Sequence, residues 1–166
     1  PDETVLDEEM ARATAPFVQK PGDVTALRDK LLDVMWEDVG VMRDADGLQR
    51  GLQRIDEIDD ALSSTGVAAD NLAFNLSWHD WLNLRSLVDM SRVIAQSALS
   101  RENSRGAHFR EDHPDAGAMQ DSYFTLATGS DKNISVARAP VQFTIVKPGE
   151  TLLGADEAGT LVGGGE

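Results

Sequence analysis

Cysteine is absent from this chain. That excludes disulfides, thiolate zinc sites, iron–sulfur ligation and a cysteine nucleophile on it, and fits a reducing compartment. Long apolar runs are missing too. None approaches the roughly 20 residues that a spanning helix needs, so direct membrane insertion is not expected. The opening residues, Pro1-Asp2-Glu3-Thr4, have neither the basic nor the apolar region of a signal peptide. The expected location is therefore cytoplasmic. There is no initial Met, as expected of a processed product or an excised piece. Cationic residues are scarce: 15 Lys and Arg stand against 29 Asp and Glu, a net charge of −14. So acidic a chain is a poor partner for duplex nucleic acid and for anionic membrane surfaces. Phosphate loops are also lacking. No GxGxxG follows a strand, no GxxxxGK[ST] occurs, and there is no Gly-x-Ser-x-Gly elbow. No dinucleotide site is expected on these residues.

What is present suffices for one domain. The chain has 166 residues, 41% of them hydrophobic. Residues 1–22 read as an acidic lead-in, with a short helix around Asp7–Ala15 stopped near Pro16. Val24, Leu27, Leu31, Val34, Met35, Val39 and Met42 then recur at the three- and four-residue steps of one helix face. Asp23 is placed to cap that helix, of about 20 residues. Asp44 can cap a second helix with the stripe Leu48, Leu52, Ile55, Ile58 and Leu62. Arg50, Arg54, Asp56, Asp59 and Asp60 fall on its other face. Asp70 can cap a third, running to about Asn103, with Phe74, Trp78, Trp81, Leu84, Leu87, Val88, Ile94, Ala95 and Ala98 inward. Arg85, Arg92 and Arg101 are placed to reach acids of the second helix. The fold expected is mainly α: an antiparallel, spectrin-repeat-like three-helix bundle over 23–104. A signature loop and small β-containing extension over 105–153 follow. Strands are expected at Tyr123–Thr128, Ile134–Ala137 and Val141–Val146, with a turn at Gly129-Ser130-Asp131 and a flexible tail over 154–166.

One dense polar cluster runs from Arg101 to His113. Read as an active site, it would make His108 a general base oriented by Glu111 or Asp112. Read as structure, its arginines and acids pair with one another and tie the helix end to the strands. The structural reading is favoured, because arginine–carboxylate forks suit that role. A metal held by His108, Glu111, Asp112 and His113 would need a ligand set too compressed to wrap one ion. Trp78 and Trp81 sit three apart on an apolar stripe and read as core. His79 lies off that stripe and reads as a surface residue. Asp56–Asp60 reads as a solvated helix face. Asn75-Leu76-Ser77 and Asn133-Ile134-Ser135 match the glycosylation pattern by chance.

The stretch Ser100-Arg101-Glu102-Asn103-Ser104-Arg105-Gly106-Ala107-His108-Phe109-Arg110-Glu111-Asp112 resembles the SRGAHxRED signature of the succinate dehydrogenase/fumarate reductase flavoprotein family. Val34–Arg43 resembles that family's MWENVGIFR-like first helix, and Leu84–Ser91 the helix ahead of the signature. The resemblance covers roughly residues 8–146. L-aspartate oxidases share the domain, but usually have another residue after the glycine, so Ala107 points to the succinate/fumarate side. Two departures stand out: Asn103 precedes Ser104 where the family often has Glu, and His113 follows where it often has Tyr.

The resemblance implies a C-terminal helical domain whose catalytic equipment lies elsewhere in the parent enzyme. FAD belongs to that parent, and no catalytic, cofactor or metal residue is carried onto this chain. Its implied partners are the FAD-binding and capping domains and an iron–sulfur subunit, in a complex at the cytoplasmic face of a membrane. The signature residues Ser104, Arg105, Gly106, Ala107, His108, Arg110, Glu111 and Asp112 are expected to be structural and to form part of the docking surface. The other reading is a stand-alone acidic helical interaction module for a basic partner.

Overall fold

The structure is a computed structural model that describes residues 3–68, 71–130 and 132–150. The Asp70 cap, the turn residue Asp131 and the tail from Gly154 lie outside the described residues. Helix α1 spans Glu3–Thr14, starting earlier than Asp7, and passes into a 3₁₀ turn over Ala15–Phe17. Glu3 at its start and Arg12 near its end complement the helix dipole. None of its residues is buried. It is fastened at its end, where the Trp78 indole donates to the Ala13 carbonyl at 2.7 Å.

Helix α2 covers Val24–Glu37, capped as expected by the Asp23 carboxylate, which accepts from the Ala26 amide at 2.9 Å. It is shorter than its apolar period suggests. The period continues through Val39, which is buried, but the helix does not. Asp38 is drawn onto the next helix by Arg50 and Arg54, at 3.0 and 2.8 Å. Gly40 then weakens helix propagation. Met42 is exposed, and Val39–Arg43 is a turn rather than the end of a helix.

Helix α3 covers Ala45–Ser63. Asp44 caps it, accepting from the Gly47 amide. Leu48, Ile55, Ile58 and Leu62 are buried, with Leu52 packed beside them. Gly51 lets the end of α2 approach: a Cβ there would stand 3.0 Å from both Asp38 Cβ and Val39 Cγ2.

Helix α4 covers Leu76–Ser100, with Asn75 as its cap, accepting from the Trp78 amide at 3.0 Å. Phe74 therefore stands before the helix, at φ 56°, with its ring in solvent. Leu87 and Ile94 are also exposed, so three of the residues expected to face inward do not. Trp81, Leu84, Val88, Ala95 and Ala98 do face inward, and Trp78 packs at the margin of the core against Phe17. The Trp81 indole donates to the Thr65 carbonyl at 2.8 Å, satisfying its N–H inside the core.

The three long helices form the expected antiparallel bundle, α2 and α4 running the same way and α3 between them. Burial of α3 and α4 against each other includes charge. Arg92, 1% exposed, donates to Asp59 at 2.7 Å and to Asp56 at 3.0 Å, and Arg85 donates to Asp59 at 2.6 Å. Asp59 is thus a buried partner, not part of a solvated face. Arg101 does not join this set; it donates to Asn103 at 3.2 Å, beyond the end of α4.

The extension is a two-stranded antiparallel hairpin, β1 Tyr123–Ser130 and β2 Asn133–Pro140, with Tyr123 opposite Pro140 and Ser130 opposite Asn133. It lies on α4, pinned by Arg138 to the Ser100 carbonyl at 2.9 Å and by Lys132 to Asp60 of α3 at 2.6 Å. The strand expected at Val141–Val146 does not form. Pro140 ends the ladder because it has no N–H to donate, and one bond from Val141 to the Ser122 carbonyl follows it.

Asp59→Ala should leave the Arg92 guanidinium buried beside weaker partners. The expected loss is about 3–5 kcal/mol, read as a fall in the urea midpoint, against less than about 0.5 for exposed Asp33→Ala.

Candidate functional site

The polar cluster closes the end of the bundle where α2 turns into α3 and α4 stops. Ser104, the first of the eight signature residues, is a junction. The hydroxyl accepts from the Arg110 amide at 2.8 Å and donates to the His113 carbonyl at 2.8 Å. The Ser104 amide donates to the Asp115 carbonyl at 2.9 Å. Arg105 and His108 face each other across a tight turn, the Arg105 amide donating to the His108 carbonyl at 2.9 Å. Gly106 sits at φ +64° in that turn, a left-handed conformation that glycine adopts without strain. The Arg105 guanidinium reaches the other way, to the carbonyls of Ala116 and Ala118 at 2.7 and 2.8 Å and to the Ser122 hydroxyl at 3.0 Å. It fastens the path from the loop to β1.

Arg110 is the centre of the site. It is 1% exposed. Its Nη1 donates to the carbonyls of Ala98, Leu99 and Arg101, between 3.1 and 3.2 Å, at the end of α4. Its other nitrogens fork onto Asp112, Nε to Oδ1 at 2.7 Å and Nη2 to Oδ2 at 2.6 Å. Asp112 Oδ2 also accepts from the Ala45 amide at 3.0 Å, in the first turn of α3. A cation therefore closes one helix C-terminus, an anion closes another helix N-terminus, and the two are bonded to each other. Each charge lies at the dipole end that favours it. The Arg110 hydrogen bonds, with the Ala45 amide behind them, hold the Asp112 carboxyl far below the usual carboxylate range.

His108 is buried against the α2–α3 turn. Its Nδ1 accepts from Arg43 Nη1 at 3.0 Å, which leaves the proton on Nε2. Nε2 has no partner among the described residues. Burial, and then the charge of Arg101, push the His108 pKa down, so the ring is neutral at pH 7. Arg43 also donates to the Val39 carbonyl at 3.0 Å, while its own carbonyl accepts from the Glu111 amide at 2.7 Å.

The eight signature residues thus occupy one loop but divide in role. Ser104, Arg105, His108, Arg110 and Asp112 are engaged within the chain. Ala107 and Glu111 are exposed, as is the glycine at the turn, with Phe109 beside them. The structure does not bring His108 together with Glu111 or Asp112: its partner is Arg43, while Asp112 faces Arg110. That removes the orienter a general-base reading needs, and divides the proposed metal ligands. Two partners were missed by the sequence reading, Arg43 and the Ala45 amide. Arg43 stands at the end of the Val34–Arg43 stretch, so its signal was present without its role.

The fit of FAD to these residues can be tested directly. The sheet of the described residues is one antiparallel hairpin, with no parallel strand leading into a helix N-terminus. A cleft of about 640 Å³ is lined by Asp23 and Asp80, which repel a pyrophosphate, against the single cation Arg28. The described residues do not form a cradle for the cofactor. No helix among them is long and apolar enough to cross a membrane.

Comparison with known proteins gives this geometry a setting. The sequence family described as "Fumarate reductase flavoprotein C-term" matches residues 28–152. An uncharacterised FAD-dependent oxidoreductase of Methanocaldococcus jannaschii is 33% identical over 113 residues, 66% of this chain and 20% of that protein. L-aspartate oxidase 1 of Ralstonia nicotianae is 42% identical over 86 residues, 52% of this chain and 15% of that protein. A chain of the Mycobacterium smegmatis Sdh1 complex superposes with a TM-score of 0.72 at 25% identity, over 87% of this chain and 25% of that one. This chain spans about a fifth of the length of the curated relatives it matches.

Two consequences for stability follow from the loop. Because the His108 pKa is lowered on folding, its contribution is whole above about pH 6.5 and is lost as pH falls through the lowered value. His108→Gln keeps an acceptor for Arg43 and cannot titrate. The wild type should lose more stability than this variant between pH 7 and 5; parallel losses in urea titrations would contradict the assignment. Arg110→Met should take the donor from the Leu99 and Arg101 carbonyls and the fork from Asp112, at a cost of about 3 kcal/mol, read as a lower melting temperature.

Proposed function

The chain belongs to the fumarate reductase flavoprotein C-terminal family, and from that premise we propose that it braces the flavin-bearing part of a dicarboxylate oxidoreductase. The parent reaction in this reading is hydride transfer between a four-carbon dicarboxylate and FAD. Both reactants are held by other parts of the enzyme. This chain's own residues do no bond-making. They hold a helical bundle in one shape, and the closed loop is what supports the reading. A loop in which Arg105, Arg110 and Asp112 are matched inside the chain is built to keep a surface rigid rather than to handle substrate. Ala107, Phe109 and Glu111, left outward by that loop, belong to the surface offered to the flavin-bearing part.

An iron–sulfur subunit is the electron-transfer partner this reading assigns to the parent. A flavin that takes two electrons as hydride needs a carrier to pass them on, and the cysteine-free chain has no thiolate ligands for a cluster of its own. The parent complex in this reading sits at the cytoplasmic face of a membrane. The second reading, an independent acidic module, draws on the net charge of −14 and predicts salt-sensitive binding to a basic partner without any flavoprotein.

Arg105→Ala in the flavin-containing enzyme separates structure from chemistry. It removes the bonds to Ala116, Ala118 and Ser122 and touches no reactant. The expected result is lower thermal stability and flavin retention, with turnover per bound flavin within about twofold of wild type. Full assembly and flavin content with lost turnover would overturn the bracing role. Recovery of the chain with a basic partner and no flavoprotein would favour the second reading.

A further inference from the structure

The signature loop holds the bundle by two separate sets of bonds. Toward α4 it is held by the carbonyl contacts of Arg110. Toward the turn between α2 and α3, Arg43 Nη1 donates to His108 Nδ1 at 3.0 Å, the Glu111 amide to the Arg43 carbonyl at 2.7 Å, and the Ala45 amide to Asp112 at 3.0 Å. In this second set only the His108 bond contains a group whose ordinary titration falls near neutral pH. That bond needs the neutral ring, because a protonated imidazole has no lone pair to offer Arg43.

The surroundings of His108 offer a proton no anion. The residue is 7% exposed. Arg43 faces it from the α2–α3 turn, Arg101 from the end of α4, and Arg110 from its own loop. The neighbouring acids are engaged or turned outward. Asp44 caps α3 through the Gly47 amide. Both Asp112 oxygens bond Arg110, and one also bonds the Ala45 amide. Glu102 and Glu111 are exposed. Only the Arg101 carbonyl favours the charged ring. A proton on His108 would set a second cation against the Arg43 guanidinium, with two more close by and little water to screen them.

We propose that His108 is an acid-operated latch: protonation of its ring releases the signature loop from the α2–α3 turn while Arg110 keeps the loop on α4. Once charged, the ring gains by moving into water, and Arg43 keeps its bond to the Val39 carbonyl. The Glu111 and Ala45 amides then lose their partners, so the first turn of α3 opens together with the loop. The core between α3 and α4 is untouched, and the opening precedes general unfolding as pH falls. Asp112 is not the trigger, because Arg110 keeps its carboxyl ionised through this range. Nor is His113, the other histidine of the loop. It is exposed and 3.9 Å from Asp112, so a proton there adds an attraction and favours the closed form.

Hydrogen exchange of the full polypeptide, read at single amides and corrected for intrinsic rates, tests this. Protection of the Glu111 and Ala45 amides should fall at least about tenfold between pH 7 and pH 5, because the released ring binds a proton near pH 6.5 and the closed one does not. The amides of Leu84 and Val88, in the middle of α4, should keep theirs. His108→Gln should hold Glu111 and Ala45 protected at pH 5, and His113→Gln should behave as wild type. In the wild type alone, the fall should follow one proton, at no more than about tenfold per pH unit. Undiminished protection of Glu111 and Ala45 at pH 5 would overturn the latch. An equal fall in His108→Gln, or a fall steeper than one proton allows, would assign the opening to other groups and overturn it too. Parallel loss at Leu84 and Val88 would mark general unfolding, with no latch.

Discussion

The Arg110–Asp112 fork is the interaction on which the rest of the chain depends. An α-helix ends with unsatisfied carbonyls and begins with unsatisfied amides, and neither can be buried without a partner. Arg110 supplies donors to the end of α4, and Asp112 supplies an acceptor to the start of α3. The Arg110 charge, 1% exposed, would be costly there alone. Bonded in a planar fork, Arg110 and Asp112 neutralise one another, and each leaves spare valence for a helix. The Ser104 hydroxyl holds the loop in the shape that permits this, and His108 fills the space against Arg43. The loop is therefore the lid of the bundle, made of charge rather than of apolar side chains.

A second set of charges works along the length of the bundle. Arg85 and Arg92 of α4 converge on Asp59 of α3. Apolar packing alone allows two helices to slide by a turn. A buried guanidinium bonded to Asp59 and Asp56 resists that slip, because it would have to give up its buried partner Asp59. The fork fixes the ends of α3 and α4, and this set fixes their phase.

Much of this was legible in the sequence, and the limits have physical reasons. The caps Asp23 and Asp44 followed from local chemistry, since each acts three residues away. The third cap was misplaced. Phe74 continues the apolar period by one turn, but the chain enters α4 through Asn75. Periodicity also placed Leu87 and Ile94 inward, because it records apolar character without knowing which side of a helix a neighbour will cover. The end of α2 was set by tertiary ion pairs on Asp38, which no window of α2 itself contains. The signature was visible as a dense cluster of charge, and its pairing within the chain was anticipated. Its two outside partners were not, because Arg43 and the Ala45 amide lie more than sixty positions away.

That separation governs the order of events in folding. Contacts from Arg43 to His108 and from Ala45 to Asp112 close loops of 65 and 67 residues. Loop closure of that length is disfavoured until intervening chain has collapsed, so the helices must meet before the lid can form. On the ribosome the consequence is temporal. A nascent chain can complete α3 and most of α4 while both helix ends remain open. The bundle becomes a finished unit only when Asp112 has emerged, and the hairpin is then laid on a scaffold that has already set.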